Sequence, residues 1–364
     1  MRPERGPFVS AETGVAPVGR TYGSTRAREP VSAAGQVAPA GRADCRTSLN
    51  RAPAAVAADH VVRVIHMRIA VSGSSGPIGT ALVRALREDG DEVTRLVRKE
   101  PERPDEARWD PSGTVDTAAL EGVDAVVHLA GAGIGDRRWT ESYKKKLRDS
   151  RVVGTRTLAE ALAGLKRPPR VLVSGSAVGF YGDTAGTDAD ESAPMGAGFL
   201  AEMVRDWEAA AAPAAKAGIR VVHPRSGVVL TREGGLLAKV LPLFRLGLGG
   251  RLGDGRQWMS WISLPDEIAA LRLLIERDDL TGPVNLTAPQ PATNAEFTKA
   301  LGRAVRRPAV FSVPSFALRA ALDGFADEGL LISQRVLPRR LTESGFSFER
   351  PDLDSALRPD RPSA

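Results

Sequence analysis

Residues 67–100 constrain the fold more than any other part of the chain. They read MRIAVSGSSGPIGTALVRALREDGDEVTRLVRKE. Ile69, Ala70 and Val71 make a short apolar strand. Gly73, Gly76 and Gly79 then form a G-x-x-G-x-x-G loop, and Ile78, Leu82, Ala85 and Leu86 share one face of an amphipathic helix that Gly90 ends. Val93 to Val97 follow as a second strand. Strand, glycine loop, helix and strand in so short a span predict a dinucleotide-binding unit. Gly73 turns the chain, Gly76 leaves room for a pyrophosphate at the helix N-terminus, and Gly79 lets the helix pack close to the strand. Ser74, Ser75, Pro77 and Ile78 complete the expected cofactor loop.

The end of the second strand bears on which cofactor. An acid there would hold a ribose 2′-hydroxyl. Here the chain reads Leu96-Val97-Arg98-Lys99, with two cations and no carboxylate. That favours NADP(H) over NAD(H), with Arg98 and Lys99 on the 2′-phosphate.

Further strands read as residues 124–131, 170–176 and 219–223, with helical text between them. Tyr143, Leu147, Leu158 and Leu162 mark the buried side of one helix; Phe199, Met203, Trp207, Ala211 and Ala214 mark that of another. The alternation predicts an α/β fold, a Rossmann-type doubly wound parallel sheet, with a smaller mixed or helical C-terminal lobe. Ligands bind such sheets beyond the strand C-termini. Leu129, Ala130 and Gly131 are therefore expected on the adenine-ribose side, and Ser174, Gly175, Pro224 and Arg225 near the nicotinamide.

Composition excludes several other classes. No apolar run is long enough for a membrane span. The single cysteine, Cys45, and four scattered histidines rule out a disulfide framework and make a metal site unexpected. The net charge of +6 is unevenly placed: residues 1–66 hold nine Arg and five acids, leaving 41 basic against 39 acidic residues in the rest. So balanced a body argues against a nucleic-acid partner. The leader, 1–66, is poor in large apolar residues and is read as disordered, with Met67 as the expected start of translation. Residues 67–290 are read as the NADP-binding domain, with a substrate flap near 245–262, and 291–358 as a small C-terminal domain. A cytoplasmic protein is expected, with a homodimer allowed.

Ordered motifs carry a more specific resemblance. They are SGSSGPIG (72–79), HLAGAGI (128–134), RRWT (137–140), SRVVGTRTL (150–158), SGSAVGFYGD (174–183), FLAEMVRDWE (199–208) and PRSGVVL (224–230). FRLGLGGRLGDGRQWMSWI (244–262), GPVNLTAP (282–289) and VLPRRLTESGFSF (336–348) follow. With these the chain resembles the atypical "epimerase family" branch of the extended short-chain dehydrogenase/reductases, the NAD-dependent epimerase/dehydratase-like proteins with a small C-terminal domain of unknown function. The resemblance implies a nicotinamide cofactor and a Ser/Thr, Tyr and Lys catalytic set. Ser176 stands where the Ser/Thr falls. The Tyr-x-x-x-Lys pair is replaced by Phe199 and Met203, neither of which carries a proton or a charge. Tyr181 is the nearest candidate acid; its alternative is a buried aromatic at a strand-to-loop turn.

On the substrate side, Arg256, Trp258 and Trp261 follow a glycine-rich stretch. Arginine suits phosphate or carboxylate and tryptophan a flat apolar body, unless the tryptophans are core. Asp266 and Glu267 are read as capping the next helix. The expected function is an NAD(P)(H)-binding oxidoreductase acting on an unidentified small molecule. The alternatives are an inactive NADP(H)-binding regulator, for example in cell division, and a nucleotide-sugar epimerase or dehydratase.

Overall fold

A computed structural model describes residues 66–358; the expected leader, up to residue 65, lies outside them. In chain order the elements begin β1 (Arg68–Ser72), α1 (Pro77–Glu88), β2 (Glu92–Val97), β3 (Glu106–Arg108), β4 (Ala125–His128), α2 (Glu141–Ala163), β5 (Val171–Ser174), β6 (Ser176–Ala177) and β7 (Asp188–Ala189). They continue with α3 (Phe199–Ala209), α4 (Ala212–Lys216), β8 (Arg220–Ser226), β9 (Val228–Leu230), α5 (Gly235–Arg245), β10 (Gly250–Leu252), β11 (Trp258–Met259), β12 (Trp261–Ser263) and α6 (Leu264–Glu276). The last are β13 (Gly282–Leu286), β14 (Ala292–Thr293), α7 (Asn294–Val305), β15 (Phe311–Val313), α8 (Ser315–Leu322), β16 (Arg335–Val336), α9 (Arg339–Glu343) and α10 (Leu353–Ala356).

The main sheet is parallel and runs β13-β8-β5-β4-β1-β2-β3, with β6 also paired to β8. It is the expected Rossmann-type sheet. Alternation of side chains along each strand feeds two separate cores. Ile69, Val71, Val127, Val173 and Val222 face α1 and α6, where they meet Leu82, Leu86, Leu271 and Leu274. Ala70, Val126, Leu172 and Val221 face the other way, against Leu158 and Leu162 of α2 and Ala214 of α4. Both faces are covered, so β4 and β5 are buried along their whole length.

The order reverses between β1 and β4. That reversal opens a crevice beyond the strand C-termini, the place where such sheets take ligands.

One sequence expectation changes in detail. The helix read over Phe199–Ala214 is two, because Pro213 enters at the first turn of α4, where its missing N–H costs nothing.

The C-terminal stretch is stitched to the nucleotide-binding half. β16 pairs in parallel with β7. Leu341 of α9 is fully buried in the core over α1 and α6. Asp266 supplies a third tie. Its Oδ1 accepts from Glu349 N at 2.7 Å and its Oδ2 from Arg350 N at 3.1 Å. The cap of α6 is Ser263, whose Oγ accepts from Asp266 N, so the acidic pair occupies the first turn and does not cap. Among the described residues no helix is long and apolar enough to cross a membrane.

Asp266→Ala would strand two amides and the Ser263 hydroxyl in a buried place. The expected loss is about 2–4 kcal/mol in urea unfolding. An unchanged midpoint would show that the carboxylate does not hold the C-terminal stretch.

Candidate functional site

The glycine loop is shaped by backbone contact. Gly73 has φ +70°, and a Cβ there would sit 2.7 Å from the Leu129 carbonyl carbon and 2.8 Å from Ala130 N. A Cβ on Gly79 would overlap the Gly73 carbonyl oxygen. These two glycines let β1, α1 and the end of β4 meet. Gly76 differs: a Cβ there would make one ordinary contact, 3.4 Å from Gly73 O. The space it leaves is not filled by the chain. Gly76 is also the N-cap of α1 and brings no side-chain cap, with Pro77 next. The first amides of α1 thus stay available to an anion. Ser74 accepts from Thr80 Oγ1 through its carbonyl, Ser75 is exposed, and Ile78 packs on the sheet core. Pro77 lies under the loop at Gly234.

At the end of β2, Arg98 and Lys99 are exposed. Lys99 pairs with Glu102 at 2.7 Å. Arg98 makes no ion pair or hydrogen bond among the described residues.

Beyond β4 and β5 the crevice floor is polar. His128 is fully buried; its Nδ1 lies 2.6 Å from Ser72 Oγ and its ring stands edge-on to Trp109. Burial pushes its pKa down to about 4, so it is neutral at physiological pH. The loop Leu129–Gly131 follows, and Ala132 N donates to Ser150 Oγ of α2. Ser174 is buried with its Oγ unpartnered, and Gly175 fits between His128 O and Trp207.

Ser176, Tyr181 and Arg225 do come together, around a residue that sequence reasoning missed. Glu208, on the last turn of α3, accepts from Ser176 Oγ at 2.6 Å and from Arg225 Nε and Nη2 at 2.8 and 2.9 Å. Arg225 Nη1 donates to Tyr181 Oη at 3.0 Å, and Tyr181 donates to Asn285 Oδ1 at 2.8 Å. Asn285 N donates to Glu191. The Arg225 guanidinium also stacks on Phe180, 3.5 Å from the ring centroid. Burial alone would raise the Glu208 carboxyl, but the Arg225 fork outweighs it and holds the group below its ordinary value. Burial pushes the Tyr181 phenol up, against the pull of Arg225. Tyr181, the candidate acid, therefore has its proton engaged and its hydroxyl buried. Pro224 lies buried in β8 beside this network.

Phe199 and Met203 begin α3 in an apolar cluster with Trp139, Tyr143, Leu147 and Leu200. The three residues expected on the substrate side stand apart. Arg256 is exposed in a turn closed by Asp254. Trp258 is half-buried under the Arg335 guanidinium. Trp261 is fully buried with Leu237, Phe244 and Phe297, so it is core and lines no cleft. Among the described residues no group of His, Cys, Asp and Glu could hold a metal ion.

Glu267, expected to cap α6, instead lies behind β8. It is fully buried and accepts from Ser226 Oγ at 2.6 Å, with Oε2 unpartnered. Burial pushes its pKa from 4.5 to about 7. Between those values the folded chain keeps a proton that the unfolded chain releases. Stability should therefore fall as pH rises from about 4.5 to 7, by up to about 3 kcal/mol. Glu267→Gln removes that slope. Thermal melts of both proteins across this range check it, and parallel pH dependence would refute it.

With this geometry in view, the comparisons with known proteins are specific. The model of the NAD dependent epimerase/dehydratase family matches residues 69–286, and that of a domain of unknown function, DUF1731, residues 313–359. Epimerase family protein ML0860 of Mycobacterium leprae is 50% identical over 290 residues, covering 79% of this chain and 94% of the relative. The crystal structure of human epimerase family protein SDR39U1 with NADPH superposes with a TM-score of 0.75 at 38% identity, covering 80% of this chain and 98% of that one. A nucleoside-diphosphate sugar epimerase from Corynebacterium glutamicum gives a TM-score of 0.68 at 37% identity over 81% of this chain and 58% of its own. The family model spans more than half of the chain and the glycine cradle falls within it: the chain belongs to the NAD dependent epimerase/dehydratase family.

Proposed function

We propose that this chain binds NADP(H) in the crevice at the ends of β1, β2 and β4 and transfers hydride to or from a small molecule without a Tyr–Lys couple. The observation that carries the reading is the cradle of Gly73 to Gly79. It presents uncapped helix amides beside an opening that the chain itself leaves unfilled at Gly76. Those features fit a pyrophosphate. The bound nicotinamide would supply the hydride chemistry.

Arg98 and Lys99 would hold the 2′-phosphate. The absence of a carboxylate at the end of β2 supports this, as does Arg98 having no acidic partner among the described residues. The human relative solved with NADPH points the same way. Leu129, Ala130 and Gly131 would line the adenine-ribose side. Ser174, with its unpartnered hydroxyl, and Gly175 would border the nicotinamide.

Ser176 is the candidate to meet the reacting oxygen. Its own proton is given to Glu208, so it offers a lone pair to a substrate hydroxyl. Tyr181 acts as a positioning residue, holding Arg225 and Asn285. When a hydroxyl is oxidised its proton passes to solvent, and when a carbonyl is reduced solvent supplies it.

A second reading has its own support: binding of NADP(H) with no hydride chemistry. It rests on Phe199 and Met203, which put an apolar cluster where a proton-moving pair is expected. Epimerisation of a nucleotide sugar needs that pair and is the least supported.

Calorimetric titration of the full chain with NADPH and NADH tests the cofactor. Arg98→Asp is expected to weaken NADPH about ten- to hundredfold and leave NADH nearly unchanged. Equal weakening of both would remove Arg98 from the 2′-phosphate. Turnover separates the two readings. In a screen of small alcohols with NADP⁺ and of the matching carbonyl compounds with NADPH, Ser176→Ala should lose turnover and keep NADPH affinity within a few-fold. No turnover by the wild-type chain, with tight NADPH binding, would favour the binding module.

A further inference from the structure

α2 carries a guanidinium that has no counter-charge among the described residues. Arg151 is half-buried where α2 faces α3 and the end of β4. Other arginines drawn in from solvent are well supplied: Arg225 grips the Glu208 carboxylate, Arg95 pairs with Asp105 and Glu106, and Arg220 donates to the carbonyls of Leu274 and Ile275 at the end of α6 and of Leu280 beyond it. Arg151 donates through Nη1 alone, to Leu147 O at 3.2 Å, and makes no ion pair among the described residues. Its Cζ lies 5.1 Å from the Trp207 ring centroid. Burial lowers its pKa only to about 10, so the charge persists at neutral pH. A desolvated cation without a counter-charge is destabilising and is retained where an anion completes it.

Its position says which anion. A Cβ on Gly131 would lie 3.3 Å from Arg151 Cζ. Gly131 belongs to the same loop whose Leu129 and Ala130 touch Gly73. The guanidinium therefore borders the β1/β4 crevice, across that loop from the glycine cradle. Along α3, Trp207 is one turn beyond Met203, the residue that stands in the place of the expected lysine.

We infer that Arg151 is the cation of this crevice: it binds the dinucleotide's pyrophosphate and supplies from α2 the positive charge that α3 lacks at Met203. The inference rests on the dinucleotide-binding reading above and adds a residue and a role to it. It also implies a trade. Without ligand the buried charge is a liability, and with ligand it is the counter-charge.

The test uses the full chain with Arg151→Met and Arg151→Lys, titrated with NADPH and with 2′-AMP, which lacks the pyrophosphate, alongside thermal melts without ligand. Arg151→Met should weaken NADPH at least tenfold, leave 2′-AMP within a few-fold, and melt at or above the wild-type temperature. Arg151→Lys should recover part of the NADPH affinity. Unchanged NADPH affinity in Arg151→Met overturns the inference and leaves the cofactor reading standing. Equal weakening of both probes, or a lowered melting temperature in both variants, makes Arg151 a structural residue and overturns it as well. Failure of the wild-type chain to bind NADPH or NADH overturns the reading beneath it, a result seen before any variant is compared.

Discussion

Much of this molecule depends on one backbone contact, that of Gly73 against Leu129 and Ala130. No side chain fits between them. The ends of β1 and β4 can therefore touch at the point where the strand order reverses, and α1 begins at once beyond the touching point. The loop that Gly73 rests on then runs to Gly131 and Ala132, which meet Ser150 and Arg151 of α2. One tight approach thus brings a helix N-terminus and a guanidinium to the same crevice.

The second organising interaction is the buried fork of Arg225 on Glu208. It joins β8 to α3, and through Ser176, Tyr181 and Asn285 it reaches β6, the turn after it and β13. Taking two charges out of water is costly, and the geometry offsets that cost by using nearly every donor and acceptor. The same saturation limits the chemistry. Groups that look reactive in the sequence are already engaged with one another, and the start of α3 is apolar. Binding is better provided for in this cleft than proton transfer.

The C-terminal stretch belongs to the same physical unit as the sheet. Asp266 shows why. A carboxylate in the first turn of α6 suits the helix dipole, and its oxygens also take two amides from a segment far along the chain. Leu341 adds apolar contact to the sheet core.

The sequence by itself determined the Rossmann-type sheet, the glycine loop and the two helix faces around them. These follow from short-range periodicity and from glycines whose roles are local. The loss of the Tyr–Lys pair was legible too, because Phe199 and Met203 occupy a spaced motif. What only the tertiary structure decided is where polar side chains find partners. Glu208 follows Trp207 in a helix read for its apolar stripe, and nothing in that spacing points to Arg225 on a distant strand. Trp261 and Trp258 read alike in sequence, yet one is core and the other lies under Arg335, because the chain turns between β11 and β12. Arg151 is one basic residue among several on α2. Its lack of an acidic partner among the described residues is a property of the packing, where partial burial and the absence of a nearby carboxylate are set by elements far apart in the chain.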